Sequence, residues 1–161
     1  MEAGILVRSS APEDREWTDE LLRAAWGGPE IVTRGRVHDA RGLPGLVAEW
    51  RGERVGLAIY RLESGACEVV SLNSLIERRG IGSALLNRVV ALARESRCRR
   101  LWLITTNDNL SALRFYQRRG FELVAVHRGA IEASRRLKPS IPLEGLEGIP
   151  IRDEIELEFR L

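Results

Sequence analysis

Lysine is nearly missing from this chain: Lys138 is the only one, and arginine carries almost all of the positive charge. The formal net charge of +2 is too small to argue for a nucleic-acid partner. Cysteine is scarce too. Cys67 and Cys98 are the only two, both expected on strands, and such unpatterned cysteines suit reduced thiols in a cytosol. The two histidines, His38 and His127, lie far apart, and no Cys/His cluster has metal-ligand spacing, so no metal is expected. No apolar run approaches the roughly 18 residues that would cross a bilayer. The first ten residues lack both the cationic and the apolar part of a signal peptide, so the expected location is cytoplasmic.

The composition fits an ordinary globular mixture, with 44% hydrophobic and 30% charged residues, and so excludes a disordered chain. At 161 residues it is expected to form one domain over 1–161. The organising stretch runs from Cys67 to Ser96. Cys67 to Leu75 is apolar and β-branched, as a mostly buried strand should be. Glu77-Arg78-Arg79-Gly80-Ile81-Gly82-Ser83 follows, and then Leu85, Leu86, Val89, Val90, Leu92 and Ala93 recur with helical period.

A turn with two glycines that opens a helix leaves the first amide N–H groups without intrahelical partners. Glycine lets them approach a ligand closely, and the helix dipole adds positive potential. Gly80, Ile81, Gly82 and Ser83, with Arg78 and Arg79 beside them, therefore suit a phosphate or pyrophosphate. A P-loop is excluded because no Gly-Lys-Ser/Thr follows four residues after a glycine. A dinucleotide fingerprint is excluded because its third glycine position is Leu85, and no acidic residue ends the strand near Leu101–Ile104. The plain alternative is a tight turn with solvated arginines.

Around this centre the chain reads as alternating elements. Ile5–Arg8 is a short strand; Ser10 and Pro12 cap and open a helix that ends by Gly27-Gly28-Pro29. Ile31-Val32 extends a strand, while Thr33–Leu43, with Arg34, Arg36, His38 and Asp39, is expected as a polar loop. Leu46–Trp50 and Val55–Arg61 flank Arg51-Gly52 as a hairpin, and Ser64-Gly65 turns into the Cys67 strand. Arg100–Thr105 is a strand reached across a helix, hence parallel to the Cys67 strand. Asn109 or Asn107 caps the next helix, which Gly120 stops. Phe121–Val126 is a strand, Ala130–Leu137 is helical, and Pro139–Pro150 is a structured loop. Ile155, Leu157, Phe159 and Leu161 alternate with charged residues as the last strand, which offers an edge for pairing in a homodimer, the alternative being a monomer.

Two strings, Glu77-Arg78-Arg79-Gly80-Ile81-Gly82 and Asn109-Leu110-Ser111-Ala112-Leu113-Arg114-Phe115-Tyr116-Gln117-Arg118-Arg119-Gly120-Phe121, in this order, make the chain resemble the GNAT superfamily of acetyl-CoA-dependent N-acetyltransferases. The resemblance implies an α/β fold with a mixed, mostly antiparallel central sheet whose middle strands, those of Cys67 and Leu101, splay apart between flanking helices. It implies acetyl-CoA as co-substrate, its pantetheine arm against Leu72, Asn73 and Ser74 and near Asn109. Tyr116 would be the general acid toward the leaving thiolate, the plain alternative being a core aromatic at helical spacing. Glu68 would be a general base for the amine acceptor, the plain alternative being an outward-facing strand residue. The segment Arg135–Glu147, facing Arg34–Asp39, would wall the acceptor pocket. One departure stands out: where the family has Gln or Arg three residues before the first glycine, this chain has Glu77.

Two readings from other classes stand beside the enzyme: an inactive coenzyme A-binding sensor, and an interaction domain whose turn holds no ligand. Thermal unfolding separates the last of these. Acetyl-CoA at a hundredfold excess over Kd should stabilise the protein by about 2.7 kcal/mol. An unchanged melting temperature would leave the turn without its ligand.

Overall fold

The computed structural model describes residues 4–161. Nine strands and four α-helices follow in the order β1 (Leu6–Ser9), α1 (Arg15–Trp26), β2 (Glu30–Thr33), β3 (Arg36–Asp39), β4 (Gly45–Trp50), β5 (Glu53–Glu63), β6 (Ala66–Ser74), α2 (Ile81–Glu95), β7 (Arg100–Thr106), α3 (Leu110–Arg118), β8 (Glu122–His127), α4 (Ala130–Leu137) and β9 (Glu154–Phe159). Seven strands form one sheet in the order β1-β4-β5-β6-β7-β9-β8, and β2 and β3 pair separately. Among the described residues only β6 and β7 are parallel neighbours, so the sheet is mixed and mostly antiparallel, as expected.

Each sheet face has its own core. On one, Ile81, Leu85, Leu86, Val89 and Ala93 of α2 pack with Tyr116 of α3 against Cys67, Val69, Leu101, Leu103 and Leu157. On the other, Leu22 of α1 and Ile31 of β2 pack against Val47, Leu57, Ile59 and Val70. Alternation along β6 sends Cys67 and Val69 to the first face, and Glu68 between them to the second.

Three two-residue turns, Arg34-Gly35, Arg51-Gly52 and Ser64-Gly65, place both residues at positive φ, between 49° and 79°. That is the type I′ geometry whose twist matches a right-twisted hairpin. The first corrects the expected Thr33–Leu43 loop: β2 and β3 are a hairpin with Ile31 opposite His38 and Thr33 opposite Arg36. Cys98 sits in the connection after α2 and not on a strand; both thiols are free. Ser10 is not the cap of the first helix. Asp14, 1% exposed, instead accepts from the Ala11 N–H at 2.7 Å and pairs with Arg8 and Arg54. The last strand, β9, lies between β7 and β8 with both edges paired, so it cannot extend the sheet across a dimer.

The segment from Lys138 to Asp153 is strapped down by polar groups. Arg135 donates to the carbonyls of Ile141, Pro142 and Ile151, which curls the strap back on α4. Lys138 Nζ donates to the carbonyls of Trp26 and Glu30 at 2.6 and 2.5 Å, tying the strap to α1 and β2. Buried Asp108 accepts from the Leu146 N–H at 2.9 Å and from the Thr106 hydroxyl. A methyl group on Gly145 would stand 2.1 Å from Asp108 Oδ2 and 2.6 Å from Ile151. Gly145→Ala should therefore cost about 1–3 kcal/mol in denaturant unfolding, in the range of overpacked sites. Gly42→Ala, whose added methyl meets nothing within 4 Å, should stay within about 0.5 kcal/mol.

Candidate functional site

The parallel ladder between β6 and β7 is short. It pairs Ala66, Cys67, Glu68 and Val69 with Arg100, Leu101, Trp102 and Leu103, and then stops. β6 runs on to Ser74 along β5, and β7 runs on to Thr106 along β9, so the two diverge into a fork. The cause is visible in β6: Tyr60 faces Val69 and Ile59 faces Ser71, which leaves Val70 as an extra residue. Such a bulge bends its strand and disrupts the neighbouring ladder. Beyond it, Leu72, Asn73 and Ser74 keep partners on β5 only, and their fork-side backbone groups have none among the described residues.

The turn after β6 leads into α2. Gly80, at φ +75°, takes the N-cap position with no side-chain cap, and the first helical bond is from Ala84 N–H to the Gly80 carbonyl. The amides of Ile81, Gly82 and Ser83 therefore have no intrahelical acceptor. The glycines divide the work. A methyl on Gly80 would meet nothing, whereas one on Gly82 would lie 3.1 Å from the Phe115 ring. Gly82 thus lets α3 pack against the start of α2, a role the motif alone does not disclose. Ile81 is 1% exposed, packed into the α2/α3 core. Arg78 sits at φ +60°, and Arg79 lies over the Trp50 ring at 5.0 Å.

Arg119 is the residue that sequence reasoning passed over. It stacks on Phe115 at 3.7 Å, and its Nε donates to Ser83 Oγ at 2.7 Å. The end of α3 so delivers a guanidinium to the first turn of α2, where Glu77 leaves the family's cationic or amide side chain missing. Its signal in the sequence was only one more arginine ahead of Gly120.

Asn109 caps α3, its Oδ1 accepting from the Ala112 N–H at 3.1 Å. Tyr116 is buried on the α2/α3 face, edge-on to Phe115 and Phe121. Its hydroxyl has no hydrogen-bond partner among the described residues, and burial pushes it above the ordinary phenol range. Glu68 lies on the other face, 1% exposed rather than outward-facing. It accepts from Thr33 Oγ1 at 2.8 Å and from Arg61 at 2.9 Å, and His38 Nε2 is 2.7 Å from the same Thr33 oxygen. Thr33 and His38 were expected in a loop, apart from Glu68; alternation with buried Ile31 was the signal that groups them.

The hairpin tip reaches further. Arg34, next to Thr33, binds Glu154 of β9 through its backbone N–H at 3.0 Å and its guanidinium at 3.2 Å. Consecutive residues thus touch β6 and β9, the two neighbours of β7, so the tip lies across β7. A cavity of about 240 Å³ between α1 and the Ala40–Gly42 turn, floored by Leu57 and Ile59, is separate from the fork. Among the described residues no group of three His, Cys, Asp or Glu side chains could hold a metal, and no helix is long and apolar enough to cross a membrane.

Burial lowers the His38 pKa, which attraction to Glu68 opposes while Arg61 and Arg36 reinforce it. In the unfolded chain His38 titrates near its ordinary value of about 6.5. Above that pH neither state binds the proton and stability is unaffected; below it the unfolded chain binds the proton more readily and stability falls. The melting temperature should decline as pH drops from 7 to 5.5, and His38→Gln should flatten that decline.

The Acetyltransferase (GNAT) family model matches residues 7–121. The chain is 45% identical to YdhI of Bacillus subtilis (strain 168) over 131 residues, 81% of this chain and 82% of that one. It is 43% identical to YxbD of the same organism over 154 residues, 95% and 96% of the two chains. A GNAT family acetyltransferase from Elizabethkingia anophelis, solved with acetyl-CoA bound, superposes with a TM-score of 0.71 at 18% identity, covering 98% of each chain. The fork, the uncapped α2 and the family match agree: the chain belongs to the acetyltransferase (GNAT) family.

Proposed function

We propose that this chain transfers the acetyl group of acetyl-CoA to a primary amine of a small molecule or peptide, by direct attack in a ternary complex. The observation that carries the proposal is the fork, with an uncapped helix N-terminus at its mouth and Tyr116 and Glu68 on opposite sheet faces. The pyrophosphate of acetyl-CoA sits on the amides of Ile81, Gly82 and Ser83, reached past Gly80. Arg78, Arg79 and Arg119 supply cationic donors in place of the side chain that Glu77 lacks. The pantetheine arm pairs with the open edge at Leu72, Asn73 and Ser74 and runs near Asn109. The amine enters from the hairpin face, where Arg135–Glu147 and the Arg34–Asp39 hairpin wall its pocket.

The protons follow from the chemistry. An ammonium acceptor loses two in becoming an amide. One passes to Glu68 and then to solvent, which frees the nitrogen lone pair to attack the thioester carbonyl. The C–S bond breaks as the tetrahedral intermediate collapses. Tyr116 donates its hydroxyl proton to the departing thiolate and is restored by the second proton from the nitrogen. A buried phenol holds its proton at neutral pH and is available as that donor.

An acceptor screen read by release of free coenzyme A tests the reaction; no amine-dependent release at any acceptor would refute it. Within it, Tyr116→Phe should lower kcat by about 10² with little change in coenzyme A affinity. Phenylalanine keeps the edge-on contacts to Phe115 and Phe121, so a packing role alone predicts near-parental turnover.

A further inference from the structure

We propose that Thr33 and His38, on the β2–β3 hairpin, are positioning residues that aim the Glu68 carboxylate at the acceptor amine. The inference rests on the acetyl-transfer reading above and assigns that site two residues from outside its family motifs. Thr33, His38 and Glu68 are 6%, 4% and 1% exposed, and they form one hydrogen-bonded chain with Arg61. Glu68 occupies the next-to-last rung of the parallel ladder, immediately before the fork opens. It is the buried carboxylate that β6 offers at that point on the hairpin face.

The donor count fixes the arrangement. A carboxylate only accepts, and Thr33 has a single hydroxyl hydrogen, which goes to Glu68 Oε2. His38 Nε2, 2.7 Å from the same oxygen, must then carry a hydrogen and donate it to Thr33. The imidazole orients the hydroxyl, the hydroxyl orients one carboxylate oxygen, and Arg61 orients the other. Each oxygen has two lone pairs and one bond here, so each retains a lone pair for the acceptor's N–H.

The chain is not needed to fasten the hairpin. Ile31 is already buried beneath α1, Arg34 holds Glu154, Arg36 pairs with Glu63 at 2.6 Å, and Lys138 holds the Glu30 carbonyl. Burying hydroxyl, imidazole and carboxylate together is an expensive way to add one more tie, since apolar side chains of that size would pack there without desolvation. Orientation of the carboxylate is what the polar groups add.

The test uses the full chain and thiol release from acetyl-CoA, with 1-aminobutane, 1,4-diaminobutane, glycinamide and lysine amide as acceptors. Thr33→Val should lower kcat about tenfold or more with KM for acetyl-CoA near parental, read at a temperature where every variant stays folded. The stranded His38 N–H and Glu68 oxygen also lower its melting temperature. Thr33→Ser should stay within about twofold, because the hydroxyl is kept. His38→Gln, which keeps an N–H near the Nε2 position, should retain most activity, whereas His38→Leu should fall like Thr33→Val. Parental turnover by Thr33→Val while Glu68→Gln is inactive would overturn the proposal and leave the transferase reading standing. So would a loss that follows only the folded fraction at the assay temperature across the four variants. A parent that acetylates none of the amines, or a Glu68→Gln that turns over normally, would overturn the reading and the proposal with it.

Discussion

Where β6 and β7 part after the Val69–Leu103 pair, the backbone of Leu72–Ser74 loses the partner that a parallel neighbour would have supplied. Buried or half-buried amides and carbonyls in that state need another partner, so the fork creates a demand for a ligand that itself bears amides. The bulge at Val70 is the local cause, and it does two further things. It places Val70 in the core under α1 while Leu72 stays with the α2 core, and it leaves Glu68 one rung before the divergence. Geometry at one inserted residue thereby determines which side chains flank the gap on each face.

The open N-terminus of α2 depends on its contact with α3. Phe115 rests on Gly82, and Arg119 rests on Phe115 with its Nε on Ser83. The ring therefore serves as the shelf that carries the guanidinium to the helix terminus. A larger residue at Gly82 would displace Phe115 first and any ligand second, so the two glycines of the turn are not equivalent. Gly80 is required for its left-handed backbone, Gly82 for its missing side chain.

Most of this architecture was legible in the sequence because local signals agreed with one another. The Cys67 strand, the helix after it, the Asn109 cap and the alternating last strand all carry their period or cap in adjacent residues. The misses have physical reasons. Arg34-Gly35 is the same two-residue turn chemistry as Arg51-Gly52 and Ser64-Gly65, but the strands beside it are four residues long and half polar. Their polar residues are buried by a neighbour distant in sequence, and nothing local in Thr33 or His38 announces Glu68. Arg119 was hidden among equivalent arginines for the same reason. The edge lost to β9 was a question of strand order, which alternation along one strand does not encode.

Beside the fork the hairpin face of the sheet is laced with charge, although under α1 the same face packs Leu22, Ile31, Val47, Leu57, Ile59 and Val70. Arg61 meets Glu68 and Glu63, Arg34 meets Glu154, and Arg100 of β7 meets Glu156 and Glu158 of β9. Of these, Arg61–Glu68 is the most buried pair; such pairs stabilise little against well-packed apolar groups, and breaking one leaves a stranded charge. A fold selected for stability alone would have no use for them beside its one open seam. On the α2/α3 face, the same strands carry Cys67, Val69, Leu101, Leu103 and Leu157, and the packing is apolar throughout. The contrast between the two faces of one sheet meets at the fork: a dry side that holds the buried Tyr116 hydroxyl, and a charged side that holds the buried Glu68 carboxylate.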